Sequence, residues 1–124
     1  MSTVLIVEDN DKNMKLARDV LQAKGYQTLE AVTGEEGVKL AKEKKPDLVL
    51  MDIQLPGING IEAFRQIRGD AKTAGIPVVA LTASVTPTDR SAITAAGFDA
   101  FIGKPINLKE FLDTVKRLVD GARR

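Results

Sequence analysis

MDIQLPG, residues 51–57, closes an apolar run on an aspartate and then turns at a proline. An acid at the end of a strand that otherwise reads as buried is either an ordinary turn residue or one member of a site. What the rest of the chain brings beside Asp52 decides between the two. Outward from residues 48–51, LVLM, four more runs rich in β-branched residues read as strands: TVLIV (3–7), TLEAV (28–32), PVVALT (77–82) and AFIG (100–103). Helix signals separate them. Met14, Ala17, Val20 and Leu21 recur at helical spacing and stop at Gly25. Thr33 with Glu36, Asn59 with Glu62 and Asn107 with Glu110 are capping boxes, each ahead of an apolar helical pattern. The remaining helix starts at Thr86, Pro87 and Asp89, and its body RSAITAAG is short and weakly apolar. The last residues, GARR, read as a solvated tail.

Strands with few polar positions, alternating with helices, imply an α/β fold whose parallel sheet is covered on both faces. The doubly wound five-stranded order 2-1-3-4-5, the flavodoxin-like order, makes the first and third strands neighbours. It puts a ligand crevice outside their carboxyl ends, where the order reverses. The first strand ends in Glu8 and Asp9, the third in Asp52, the fourth in Thr82, and the fifth is followed by Lys104 and Pro105. Two carboxylates about 4 Å apart repel by about 4 kcal/mol at an effective dielectric of about 20, so three in one crevice call for a compensating cation. Hard oxygen ligands with no imidazole or thiolate suit Mg²⁺. Each residue also has an ordinary reading. Asp9, Asn10 or Asp11 caps the first helix, Asp52 is a turn residue, Thr82 bonds to backbone and Lys104 is a surface lysine. Their joint position at four strand ends favours a site able to bind and stabilise a phosphoryl group on an acid.

Composition narrows the chemistry further. The chain has 124 residues, fitting one domain over 1–124, and a hydrophobic share of 44% supports a packed core. With 18 basic and 17 acidic residues, bulk charge gives no reason to expect direct DNA binding. No apolar run is long enough for membrane insertion and the start lacks a signal-peptide pattern, so a cytoplasmic location is expected. Cysteine and histidine are both absent, which removes thiol nucleophiles, histidine-assisted hydrolysis and any histidine phosphoacceptor.

These residues resemble, end to end, the response-regulator receiver domains of bacterial two-component signalling. VLIVEDN, LVLMDIQLPGINGIE, VVALTA and AFIGKPI carry the resemblance. Within it, the chain is similar to single-domain regulators of the DivK type and to the receivers of hybrid kinases. The resemblance implies Asp52 as phosphoacceptor, and Glu8, Asp9, Asp52 and the backbone carbonyl of Gln54 as Mg²⁺ ligands. It also implies Thr82 as switch hydroxyl, Lys104 as the phosphate-contacting cation, Phe101 as the switch aromatic and a cis Lys104–Pro105 bond. Glu8 stands where the family more often has aspartate, and its longer arm is expected to reach metal through water or from a shifted backbone. Gln54 and Ser84 are expected to flank the path of a hydrolytic water. The implied donor is a phosphohistidine on a histidine kinase or histidine phosphotransfer protein. No output domain is expected, so the output is binding of a downstream target protein to the face formed by the fourth helix, the fifth strand and the fifth helix. In that face Ser91, Ala92, Ala95 and Ala96 make the fourth helix rich in small residues, which either meet a partner or pack on the domain's own sheet. Three rivals use parts of the same pattern: a small aspartyl-phosphate phosphatase, a flavodoxin-like ligand-binding domain, and a receiver-like docking module that is never phosphorylated. Gln54 lacks the acid that the first needs to protonate a leaving group. The acidic loop EDNDKN lacks the Gly-, Ser- and Thr-rich cradle of the second. The full residue set argues against the third.

Overall fold

The computed structural model describes residues 2–55, 57–83 and 87–122. Strand and helix alternate throughout: β1 (Thr3–Val7), α1 (Asp11–Ala23), β2 (Gln27–Ala31), α2 (Gly34–Lys44), β3 (Leu48–Asp52), α3 (Gly60–Arg68), β4 (Val78–Thr82), α4 (Pro87–Ala96), β5 (Ala100–Gly103) and α5 (Leu108–Ala122). All four strand pairings are parallel, and the sheet order is β2-β1-β3-β4-β5. The expected doubly wound fold is therefore the observed one.

Strand periodicity divides the core. Val4, Ile6, Leu48, Leu50, Val79, Leu81 and Ile102 pack with Met14, Ala17 and Leu21 of α1 and with Phe111, Val115 and Val119 of α5. The alternate residues Leu5, Val7, Val49, Met51 and Val78 pack with Val38 and Ala41 of α2 and with Ala63, Phe64 and Ile67 of α3. Two-residue alternation along each strand is what sends neighbours to opposite faces. Ala96 and Phe98 join the second layer, so α4 ends on the α2–α3 side.

The capping boxes set three helix starts. The side chains of Thr33, Asn59 and Asn107 accept from the backbone N–H groups of Glu36, Glu62 and Glu110 at 3.1, 2.9 and 3.0 Å. Asn10 does the same for Asn13 at 3.0 Å, so the first helix is capped by Asn10 and Asp9 remains available to the site. Thr86, expected to start α4, lies outside the described residues, as does Ser84. Three expectations are corrected. β4 begins one residue later than expected, at Val78. β2 begins and ends one residue earlier, at Gln27 and Ala31. The supposed tail is partly helical, because α5 continues through Gly121 to Ala122. A single glycine in a last turn weakens a helix by about 1 kcal/mol and does not end it when the preceding turns are anchored. Arg123 and Arg124 lie outside the described residues.

The end of the sheet remote from the carboxyl ends is tied by Arg68. Its guanidinium donates to the carbonyl of Ile76 at 2.8 Å and to Asp99 Oδ2 at 2.7 Å, and lies 5.0 Å from the Phe64 ring centroid. Asp99 Oδ2 also accepts from the Val78 N–H at 2.8 Å. The starts of β4 and β5 are thereby fastened to the end of α3.

Candidate functional site

The parallel register brings the carboxyl ends of β1, β3, β4 and β5 to one edge of the sheet. Glu8, the residue after β1, is 1% exposed, and Asp52, the last residue of β3, is 4% exposed. Asp9 is exposed. One carboxylate oxygen from each of the three lies within 4.8 Å of the others. Burial of two carboxylates beside a third needs a counter-charge, and Lys104 provides it. Its Nζ donates to Glu8 Oε1 at 2.6 Å and to Asp52 Oδ2 at 3.0 Å. The sequence alone points to Mg²⁺ as the compensating cation and to Lys104 as a phosphate contact. The structure shows an internal ammonium offsetting the cluster across 96 residues of chain.

The remaining oxygens are also held. Asp52 Oδ1 accepts from the Gln54 N–H at 3.0 Å, and Glu8 Oε2 from the Asn10 N–H at 3.3 Å. The Lys104 N–H donates to the Thr82 carbonyl at 2.8 Å, fixing the start of the lysine arm to the end of β4. The Lys104–Pro105 bond is cis. The backbone of Asp52 itself is seated under α3. The Gly60 N–H donates to the Ile53 carbonyl at 3.0 Å, and a Cβ at Gly60 would lie 2.1 Å from the Asp52 carbonyl oxygen. Only glycine permits that approach.

Burial pushes the Glu8 carboxyl up to about 7; the proton it shares with Asp52 adds to the rise, and Lys104 opposes it. Burial disfavours the Lys104 ammonium, but its hydrogen bonds to Glu8 and then Asp52 outweigh this and hold it above the ordinary lysine value. Near neutral pH the resting site therefore sets the Lys104 ammonium beside a Glu8 carboxyl close to its titration point.

The donor set fits a hard divalent cation. Three carboxylates converge, and no histidine or cysteine exists in the chain to offer a softer ligand. Thr82 is buried at the end of β4, and Gln54 is exposed just past Asp52. Phe101 stands away from this cluster on β5, half-buried at the sheet edge. The Arg90 guanidinium lies 4.8 Å from its ring centroid, a partner that no sequence pattern announced. Asn10, a helix cap by sequence, also donates its N–H to Glu8 Oε2, a bond that no sequence pattern announces.

The family model for the response regulator receiver domain matches residues 4–116. The chain is a response regulator receiver domain. It is 43% identical over 120 residues to the polar-differentiation response regulator DivK of Brucella anthropi, covering 97% of this chain and 98% of that protein. Among solved structures, it is similar to the signal receiver domain of a histidine kinase from Syntrophus aciditrophicus. That match has a TM-score of 0.93 and 32% identity, over 100% of this chain and 94% of the other. The receiver domain of a Pseudomonas aeruginosa PAO1 sensor histidine kinase, with a magnesium ion coordinated in its active-site cleft, superimposes with a TM-score of 0.90. It is 30% identical and covers 96% of this receiver domain and 98% of its own chain. Among the described residues, no helix is long and apolar enough to cross a membrane.

Proposed function

We propose that this receiver domain acts in the cytoplasm as a stand-alone response regulator that takes a phosphoryl group onto Asp52. The observation that carries the assignment is the position of that carboxylate. It is buried at the end of β3, with one oxygen on Lys104 and the other on the Gln54 N–H, beside Glu8 and Asp9.

The donor is a phosphohistidine on a histidine kinase or phosphotransfer protein, because the receiver domain has no histidine of its own. A carboxylate oxygen of Asp52 attacks phosphorus in line. The P–N bond to the donor imidazole breaks, its electron pair returns to the ring, and an acyl phosphate forms. Mg²⁺, held by Glu8, Asp9, Asp52 and the Gln54 carbonyl, would supply charge neutralisation on the phosphoryl oxygens. Lys104 starts between Glu8 and Asp52, so its ammonium is already within reach of the group arriving on Asp52. The Gln54 N–H orients the nucleophile. Gln54 cannot protonate a leaving group, so the chemistry stays on the protein's own acyl phosphate and does not extend to small-molecule phosphatase turnover.

Thr82 then donates to a phosphoryl oxygen, and Phe101 follows it inward. The α4–β5–α5 face changes shape, and a downstream target protein reads it. Ala92 and Ala95 are exposed there, whereas Ala96 packs on the domain's own layer, which supports the partner reading for the first two. Incubation with Mg²⁺ and acetyl phosphate, followed by intact mass measurement, is expected to add one phosphate to the wild type and none to Asp52→Asn. Equal labelling of Asp52→Asn overturns the assignment.

A further inference from the structure

Phe101 and Arg90 form a contact whose consequence follows from the sheet register. Phe101 on β5 lies opposite Ala80 on β4, and Thr82 lies opposite Gly103. Registered partners share a face, and residues two apart on a strand share it too. The Phe101 ring, the small buried Ala80 and Thr82 therefore lie on one face, the last two adjacent along β4. A ring turning inward would pass over Ala80 toward Thr82. In this structure the ring is half-buried at the surface. It lines a shallow surface groove of about 490 Å³ with Arg90, Ser91, Thr94 and Ala95, and the Arg90 guanidinium sits 4.8 Å from its centroid. That separation is within the range of a cation–π attraction, in which the guanidinium charge meets the negative face of the ring.

We infer that Arg90 is a positioning residue for the switch: its guanidinium holds the Phe101 ring in the outer groove and so sets how far the resting domain leans toward the inactive arrangement. The inference rests on the reading of Phe101 as the moving aromatic. A cation–π contact at an exposed site shifts a two-state ratio by about two- to fivefold. Removing it raises the inward-to-outward ratio by that factor. Coupling is reciprocal, so the limiting increase in affinity of a phosphoryl mimic at Asp52 is the same factor. Arg90 is exposed, so its replacement is expected to leave the fold intact. Both α4 and β5 supply half of the contact, which makes helix and strand report on each other.

The test uses the full chain with 4-fluorophenylalanine in place of its four phenylalanines and the Phe101 signal assigned by Phe101→Leu. Fluorine spectra are recorded with and without beryllofluoride and Mg²⁺, and beryllofluoride affinity is read from the backbone amide signals of residues 52–54. In the wild type the Phe101 signal moves on binding. In Arg90→Ala the resting signal is expected to sit partway toward the bound position, with the ratio raised about two- to fivefold and beryllofluoride bound more tightly by up to that factor. Arg90→Lys restores part of the wild-type position, because an ammonium keeps the charge but stacks less well. A resting signal and an affinity in Arg90→Ala equal to those of the wild type overturn the clamp while leaving the switch standing. A wild-type Phe101 signal that ignores bound beryllofluoride overturns the switch reading itself, and the clamp with it.

Discussion

Magnesium affinity is expected to depend on pH around neutrality, through Glu8. Burial and the hydrogen bond with Asp52 raise its carboxyl to about 7. A ligating carboxylate must be ionised, so the metal competes with that proton. With a value near 7, about nine-tenths of Glu8 is ionised at pH 8 and about one-tenth at pH 6, which makes the apparent Mg²⁺ affinity about tenfold weaker at pH 6. An ordinary glutamate near 4.5 would change by only about 3% over the same interval. Calorimetric titrations at pH 6, 7 and 8 give the affinities. Repeating the pH 7 titration in buffers of different ionisation enthalpy counts the released protons, about half a proton per metal. Glu8→Gln removes the titrating group and flattens the profile. Wild-type affinity that is constant from pH 6 to pH 8, with no proton release, refutes the premise that a protonated Glu8 stands between metal and site. The same raised value acts on stability without metal. From about pH 4.5 to about pH 7 the folded chain holds a proton on Glu8 that the unfolded chain has lost, so stability falls as pH rises through that window. The raised Lys104 value contributes stability that is lost only above the ordinary lysine range, outside this window.

Thr82→Ala is expected to accept phosphate from acetyl phosphate at saturating Mg²⁺ while the fluorine signal of Phe101 loses most of its response; abolished labelling would instead assign Thr82 to the chemistry. Gly60→Ala forces a methyl group into the Asp52 carbonyl, 2.1 Å from the Cβ position, and is expected to cost about 3 kcal/mol in urea unfolding and to weaken Mg²⁺ binding as well. An unchanged unfolding midpoint would show that α3 can lift off β3 without penalty.

The fold was legible because local signals and long-range patterning agreed. Thr33, Asn59 and Asn107 each announce a helix start, and each side chain caps the helix behind it. The five apolar runs need two covered faces, and the core divides along that alternation. The convergence of Glu8, Asp9 and Asp52 followed from strand order alone. Strand order also brought Lys104 to that edge, but not its ion pairs with Glu8 and Asp52. Whether Lys104 reaches solvent or turns back onto Glu8 depends on the path of the chain after β5, and nothing in the residues AFIGKPI fixes that path. The contact between Arg90 and Phe101 depends on side-chain rotamers and on where α4 docks, which hydrophobic pattern constrains weakly in so small-sided a helix. GARR reads as a solvated tail, yet α5 extends into it, because glycine is only a weak position in a well-anchored helix.

The ammonium of Lys104 separates two events that many metal proteins merge. In domains whose ligands lie exposed or mutually repelling until an ion arrives, the ion is part of the scaffold, and withdrawing it dissolves the structure. Here the two buried acids already have a resident counter-ion, supplied by the polypeptide itself. The chain can reach its native shape on leaving the ribosome without having met a divalent ion. Magnesium then behaves as a reagent: chelation is expected to silence the signal and spare the molecule.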